Sequence, residues 1–256
     1  MITIKTKEDI DKLREGGKRL AKVVFETSKL IAPGVSTETL NDFAHNLINE
    51  MGDRPSFLNY RPHGAARPFP AALCISLNDE IVHGIPNEDP KILKEGDVVT
   101  LDAGLVHDGL FTDHAITYVV GKVDKEVQKL LDVTREALMT GIKEARAGNK
   151  IGDISSAIAA RAQAAGLSVV KGLAGHGVGY SVHEDPYVPN EGRKGTGELL
   201  EPGMVLAIEP MFSMGSANIK LAKDGYTYKT VDGSLSAQFE HTVVITEGAP
   251  EILTKI

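Results

Sequence analysis

Tryptophan is absent from this sequence of 256 residues, and cysteine occurs only once, at Cys74. A single cysteine cannot form an internal disulfide, so the chain suits a reducing compartment and we expect a cytoplasmic protein. No apolar run of about 18 residues is present, which argues against a membrane-spanning helix. The first residues also lack the apolar stretch and small-residue cleavage site that are typical of a secretory signal peptide.

An excess of positive charge is also missing, since the formal net charge is −7 at pH 7. This balance argues against a general nucleic-acid binder, and we expect neither a sequence-specific nucleic acid nor a membrane as partner. Lysines and arginines crowd residues 5–22, where a solvated helix face explains them.

The order of apolar and polar residues predicts an α+β protein. Hydrophobic spacing indicates helices over 7–31, 36–51, 124–147 and 153–165. Strand-like runs cover 72–77, 98–106 and 110–120, and short strands with glycine-rich turns follow from 168 onward. No linker rich in serine, proline or charge interrupts the chain, so we predict one domain over 1–256.

A short internal similarity relates the two halves of the chain. Gly96–Asp102 and Gly203–Glu209 each place a carboxylate six residues after a glycine, at the end of an apolar strand. Each half also has two predicted helices before that strand. A duplicated α/β unit explains both facts, and coincidence between two short apolar strands is the alternative.

Two aspartates lie in apolar strands that a turn connects. Asp102 ends the run 98–101, and Asp113 lies inside the run 110–116, with His-Asp-Gly at 107–109 as a hairpin signal. We therefore expect the two side chains nearly opposite each other on one face, or one step apart if Gly109 forms a bulge. Two like charges so close require a shared proton or a cation.

Glu209 and Glu240 repeat this pattern, in the runs 205–208 and 235–245. An acid at a solvated strand edge explains any one of the four carboxylates, but explains all four together poorly. Burying such groups is costly unless they are paired or bind metal. Paired oxygen ligands suit divalent cations, so the sequence indicates a two-metal site.

The residues beside each histidine indicate which histidines have a functional role. His176 lies between glycines in Gly-His-Gly, where a backbone without β-carbons can bring an imidazole close to a metal. His83 and His183 each lie beside turn-forming residues. Strand alternation points His114 and His241 away from the neighbouring acids, which indicates a structural role. No role is predicted for His45, His63 and His107.

These residues lie in motifs that resemble the type I methionine aminopeptidases of the pita-bread fold, and the resemblance covers nearly the whole chain. The five ordered motifs are CISLNDEIVHGIP at 74–86, the Asp102–Asp113 pair, GHGVGYSVH at 175–183, PGMVLAIEPM at 202–211 and LSAQFEHT at 235–242. Only 26 positions separate His183 from Glu209, which leaves no room for the helical insertion of type II members.

The resemblance implies two pseudo-twofold α/β halves around a curved antiparallel sheet. It also implies two divalent metal ions, of cobalt, manganese, iron or zinc, between which Asp113 and Glu240 form bridges. His176 and Glu209 complete one metal site and Asp102 the other. His83 and His183 are then the histidines that face substrate without binding metal.

The activity implied by the resemblance is removal of the N-terminal initiator methionine from nascent proteins and peptides, with preference for a small second residue. A hydroxide activated by the two metals attacks the peptide carbonyl. Glu209 acts as general base, His183 donates a hydrogen bond to the oxyanion, and His83 contacts the scissile nitrogen or the intermediate. The implied partners are nascent-chain N-termini, with transient ribosome contact, and the implied state is a monomer.

The methionine pocket departs from the family pattern. The segment 61–69 is longer than usual, and the family's tryptophan is missing, with Tyr226 in the corresponding region. We predict Phe69 as an aromatic wall and Cys74 as the pocket floor, although a buried small hydrophobic residue also explains Cys74.

Two other functions fit the same fold. One is a proline-directed peptidase, which different peptide substrates distinguish. The other is a non-enzymatic binding protein, which the complete set of candidate ligands argues against. A ribosome-associated factor is a third reading, compatible with the enzyme.

Overall fold

The computed structural model describes residues 1–62 and 64–256, so His63 lies outside the described residues. The helices are α1 (Lys7–Ser28), α2 (Thr37–Glu50), α3 (Lys125–Glu144) and α4 (Ile151–Ala165). The strands are β1 (Arg54–Pro55), β2 (Leu73–Leu77), β3 (Glu80–Val82), β4 (Val98–His107), β5 (Leu110–Val119), β6 (Ser168–Val169), β7 (Ala174–Gly177), β8 (Glu184–Pro189), β9 (Val205–Ile208), β10 (Met211–Ser213), β11 (Ile219–Leu221), β12 (Tyr228–Thr230), β13 (Ser236–Gln238), β14 (His241–Val244) and β15 (Glu251–Ile252).

Local hydrogen bonds decide where the predicted helices begin and end. Thr6 caps α1, because its hydroxyl accepts from the Asp9 N–H and the Asp9 carboxylate accepts from the Thr6 N–H. The same helix ends at Ser28 rather than at 31, since the next residues form tighter turns. Helix α4 begins at Ile151 rather than at Asp153, whose carboxylate accepts from the Lys150 N–H at 2.8 Å.

All strand pairings between these elements are antiparallel. Strand β4 pairs with β5 along its full length and with β1 and β2 on its other side. A second sheet has the order β15-β14-β9-β7-β8, and two three-stranded sheets have the orders β13-β10-β6 and β11-β12-β3. The two larger sheets contribute the strands that position the candidate site.

Each half of the chain buries its own pair of helices against its own strands. Helices α1 and α2 pack on β2 and β4 through Leu20, Val24, Leu40, Ile48, Leu73 and Leu101. Helices α3 and α4 pack on β9, β10 and β13 through Leu130, Leu138, Ile154, Leu206, Phe212 and Ala237. Burial of apolar area at roughly 25 cal/mol per Å² stabilises both layers.

The internal similarity extends to backbone geometry. Gly96 and Gly203 have φ angles of 88° and 91°, which favour glycine. The Gly96 N–H donates to the Val120 carbonyl at 2.8 Å, and the Gly203 N–H donates to the Ile245 carbonyl at 2.9 Å. Since Val120 follows β5 and Ile245 follows β14, the β4–β5 and β9–β14 pairs correspond. This agreement favours duplication over coincidence.

The correspondence includes Asp102 and Glu209 but not the other two acids. Counting the same number of residues back from Val120 in the first half and from Ile245 in the second aligns the two strand pairs. Asp113 then corresponds to Gln238, and Glu240 corresponds to Ala115. The two halves therefore contribute their second carboxylates from different positions.

Among the described residues, no helix has both the length and the apolar character that crossing a bilayer requires.

Candidate metal centre

The β4–β5 hairpin puts Asp102 and Asp113 on one face, as predicted, but not opposite each other. A two-residue turn at Asp108–Gly109, with φ of 46° and 83°, pairs His107 with Leu110. In this register Asp113 pairs with Gly104, two positions along β4 from Asp102. The expected arrangement was wrong because the turn is centred one residue later than assumed. The two carboxylates are therefore diagonal neighbours.

Glu209 and Glu240 lie at strand ends rather than inside strands. Glu209 directly follows β9, and Glu240 occupies the break between β13 and β14, so the predicted strand 235–245 is two short strands. The Gln238 amide donates to Glu209 Oε2 at 3.0 Å, and the Glu240 N–H donates to the Ala115 carbonyl at 2.8 Å. These bonds fix both acids against their neighbours.

His176 reaches the acids because glycines flank it on β7. A β-carbon at Gly175 would lie 2.2 Å from the Ala207 carbonyl oxygen, so only glycine allows β7 and β9 to pack this closely. The Nδ1 atom of His176 bonds the Gly177 carbonyl at 2.8 Å and so carries the proton. Nε2 is then free to accept, and it lies 3.5 Å from Glu209 Oε1.

Three of the predicted ligands form a compact group with metal-ligand spacing. One ligand atom from each of Asp113, His176 and Glu240 lies within 4.8 Å of the other two. Asp102 and Glu209 flank the group through the hairpin register and through the contact between Glu209 and His176. All five predicted ligands therefore lie in one region.

The buried acids of this region need a proton or a cation to balance their charge. Asp102, Asp113, Glu209 and Glu240 are each at most 8% exposed, and no lysine or arginine of the described chain pairs with them. Burial raises the pKa of Asp102 to about 7. Burial also raises the pKa of the other three carboxyls well above their usual values, and repulsion among the acids adds to this effect. Asp102 Oδ1 is buried without a hydrogen-bond partner. The donor set and this orphaned oxygen fit a divalent metal.

His83 and His183 line the same cavity without belonging to the compact group. The ring of His183 lies 4.4 Å from that of His176, edge to face. Desolvation lowers the pKa of His83 to about 4, helped by the nearby His183, whose own pKa desolvation also lowers. Both side chains are therefore neutral at pH 7, and each can donate one N–H.

Tyr60 is a residue of this site that the sequence did not indicate. Its hydroxyl lies 3.0 Å from His183 Nδ1. When the hydroxyl donates to Nδ1, the His183 proton is held on Nε2. No local pattern signals this contact, because Tyr60 and His183 are 123 residues apart and Tyr60 lies in an irregular loop.

An apolar chamber adjoins the acids, within a cavity of about 1050 Å³. Phe69 and Tyr226 pack edge to face with ring centroids 5.2 Å apart, and the Tyr226 hydroxyl donates to the Arg67 carbonyl. Cys74 is 4% exposed and lines the same cavity. Phe57 joins this apolar cluster and was also not predicted.

His114 and His241 point away from the cavity and stack at 4.8 Å. His114 Nδ1 donates to the Glu240 carbonyl at 2.5 Å, and His241 Nδ1 bonds the Thr254 hydroxyl at 2.9 Å. These contacts agree with a structural role.

Comparisons with known proteins point in one direction. The model of Metallopeptidase family M24 matches residues 11–247. A methionine aminopeptidase from Aquifex aeolicus is 44% identical over 100% of this chain and 99% of its own length. The crystal structure of methionine aminopeptidase from Thermotoga maritima has a TM-score of 0.95 and 42% identity, with full coverage of both chains.

More distant structures share the fold alone. The prolidase from Pyrococcus furiosus has a TM-score of 0.75 and 22% identity, and the match covers 99% of this chain and 65% of that one. The resemblance inferred from the motifs and the pita-bread fold are thereby confirmed. The chain belongs to metallopeptidase family M24, a family of enzymes with a divalent metal cofactor, and within it to the methionine aminopeptidases.

Proposed function

We propose that this chain removes the N-terminal methionine from peptides and nascent proteins, with preference for a small second residue. The observation that carries the proposal is the set of four buried carboxylates and one imidazole beside an apolar chamber. The chamber can accept an apolar side chain, and the acids beside it would hold the metal that the family uses. High identity to methionine aminopeptidases over the full chain supports the same activity.

The proposed metal ligands are Asp102, Asp113, His176, Glu209 and Glu240. They would hold two divalent ions, with Asp113 and Glu240 shared, His176 and Glu209 completing one site, and Asp102 completing the other. The raised carboxyl pKa values and the orphaned Asp102 oxygen support this assignment. Mixed nitrogen and oxygen ligands accept manganese, iron, cobalt or zinc.

When bound, such a metal pair would supply hydroxide at neutral pH by lowering the pKa of water. Glu209 would take the proton of the attacking water and return it to the leaving amine. Its Oε2 atom accepts from the Gln238 amide, and its Oε1 atom faces His176. The bond from Gln238 fixes the orientation of the carboxylate for this role.

His183 and His83 would act as neutral donors. His183 would donate from Nε2 to the carbonyl oxygen as negative charge develops, because Tyr60 occupies its Nδ1. His83 would contact the scissile nitrogen or the intermediate. The lowered pKa of both residues supports these roles, since a neutral imidazole keeps its proton assignment over the physiological range.

The methionine side chain would occupy the chamber lined by Phe69, Cys74 and Tyr226. The aromatic pair supplies an apolar wall where the family's tryptophan is missing, and Cys74 supplies the floor. A thioether packs well against aromatic edges and small apolar groups. Phe57 and Tyr60 would complete the lining.

His176→Ala tests the ligand assignment. We expect release of methionine from Met-Ala-Ser to be abolished and bound metal to fall below the wild-type stoichiometry, because the imidazole nitrogen is lost. His45→Ala on α2 is the matched control and should keep both. Full activity of His176→Ala would refute the ligand assignment. If the wild-type protein instead cleaves Ala-Pro or Ala-Pro-Ala in preference to Met-Ala-Ser, the proline-directed alternative is favoured.

We further propose a monomer that acts in the cytoplasm on nascent chains, with transient ribosome contact. One chain supplies every residue named in the site, so assembly is not needed to complete it. Light scattering of the purified protein and co-sedimentation with translating ribosomes test the two parts separately.

A further inference from the structure

An ion pair buried beside the cavity connects the N-terminal segment to the turn that carries His183. Lys5 Nζ donates to Glu184 Oε2 at 2.5 Å, and the two side chains are 1% and 7% exposed. Thr3 Oγ1 donates to the same oxygen at 2.5 Å. Removing one partner of a buried ion pair leaves an uncompensated charge, so loss of either side chain should disturb both segments.

The other oxygen of Glu184 organises the turn itself. Glu184 Oε1 accepts from the backbone N–H groups of Tyr180 and Ser181, the latter at 3.0 Å. Ser181 Oγ in turn donates to the His183 carbonyl at 2.9 Å. One carboxylate therefore closes the 180–183 turn and joins it to Lys5.

The stem of Lys5 is enclosed on several sides. A β-carbon at Gly179, whose φ is 140°, would lie 2.4 Å from Lys5 Cε. The Lys5 N–H donates to the Gly203 carbonyl at 2.8 Å, and its ammonium lies 5.0 Å from the centre of the Tyr180 ring. The side chain of Lys5 thus has a defined place against both neighbouring segments, although it does not line the cavity.

We propose that Lys5 and Glu184 are positioning residues that hold His183 in its orientation toward the reacting carbonyl. On its cavity side, the His183 ring faces the rings of Tyr60 and His176. Its backbone belongs to the turn that the Glu184 carboxylate closes, and Lys5 pairs with that same carboxylate. This inference rests on the proposed function, because His183 matters only if the chain cleaves a peptide bond there.

Lys5→Met tests the proposal, since it keeps the apolar stem and removes the charge. We expect kcat on Met-Ala-Ser to fall roughly 10- to 100-fold, as for a misplaced catalytic group. KM and bound metal should stay near wild type, because none of the five proposed ligands lies in the 180–183 turn. Lys12→Met is the matched control, since Lys12 pairs with Glu8 on the exposed face of α1, and it should leave all three values unchanged.

A second arm separates positioning from general destabilisation. In a His183→Ala background, Lys5→Met should cause no further loss of kcat, because the group it positions is gone. Full kcat in the single variant, or the same fold loss in both backgrounds, would overturn the proposal. If Lys5→Met does not fold, Thr3→Val is measured instead. We expect its kcat to fall about threefold, because one hydrogen-bond donor to Glu184 is missing. An unchanged kcat in Thr3→Val would also overturn the proposal. Wild-type protein inactive on Met-Ala-Ser would instead refute the proposed function itself.

Discussion

A Tyr60 hydroxyl that donates to Nδ1 of His183 keeps the imidazole proton on Nε2. A neutral imidazole has one donor nitrogen and one acceptor nitrogen, and Tyr60 occupies Nδ1 at 3.0 Å. Only the resulting tautomer presents an N–H at Nε2. The chemistry of His183 at the residue scale therefore depends on a loop residue that no motif marks.

We expect Tyr60→Phe to lower kcat on Met-Ala-Ser by roughly 2- to 10-fold, the range for one lost hydrogen bond. The ring remains, so KM should change little, and bound metal should not change. Tyr118→Phe, which removes a hydroxyl from β5 outside the cavity lining, is the control for steady-state kinetics. Unaltered kcat in Tyr60→Phe would show that the tautomer is set by another group.

At the scale of elements, the close approach of β7 to β9 places His176 among the acids. The Gly175 position leaves no space for a β-carbon beside the Ala207 carbonyl. Any side chain there must push the two strands apart and carry His176 with it. The strand pairing is therefore part of what builds the proposed metal centre.

Gly175→Ala should therefore reduce bound metal and lower kcat/KM about 100-fold, because a displaced strand misplaces the proposed ligand His176. Overpacking should also cost about 1–3 kcal/mol of stability. Gly248→Ala is the control, since a β-carbon there meets nothing closer than 3.9 Å. Metal content and thermal melting are measured together, and wild-type metal content in Gly175→Ala would contradict this account.

Sequence patterns predict elements of this chain better than they predict its registers and contacts. The helices and the shared face of Asp102 and Asp113 follow from periodicity, which is local. The pairing of Asp113 with Gly104 depends on the turn type at Asp108–Gly109. The contacts of Tyr60 with His183 and of Lys5 with Glu184 join distant segments, so no local pattern could indicate them.

At the scale of the whole molecule, the four buried carboxylates make stability depend on the bound cation. Without metal, Asp102 has a pKa of about 7 in the folded protein against about 3.9 in an unfolded chain. The folded state therefore holds a proton that the unfolded state releases between these values. The stability that this retained proton contributes is full below pH ~4 and is lost as the pH rises through 7.

We expect chelated Asp102→Asn to melt at a higher temperature than chelated wild type at pH 8, with the gap shrinking toward pH 5. Asparagine cannot ionise, and the difference at pH 8 should be on the order of 2–4 kcal/mol. Added metal should stabilise the wild type more than the variant. Asp108→Asn in the exposed turn is the control, and a gap that does not vary with pH would count against the argument.

The aromatic lining of the cavity also gives the protein a built-in optical probe. Four of the six tyrosines, Tyr60, Tyr187, Tyr226 and Tyr228, line the cavity, and there is no tryptophan to collect their excitation energy. Tyrosine emission from the unlabelled protein therefore includes a contribution from the walls of the proposed substrate chamber. Titration with a peptide or an inhibitor can be followed by that signal alone, without attaching a dye.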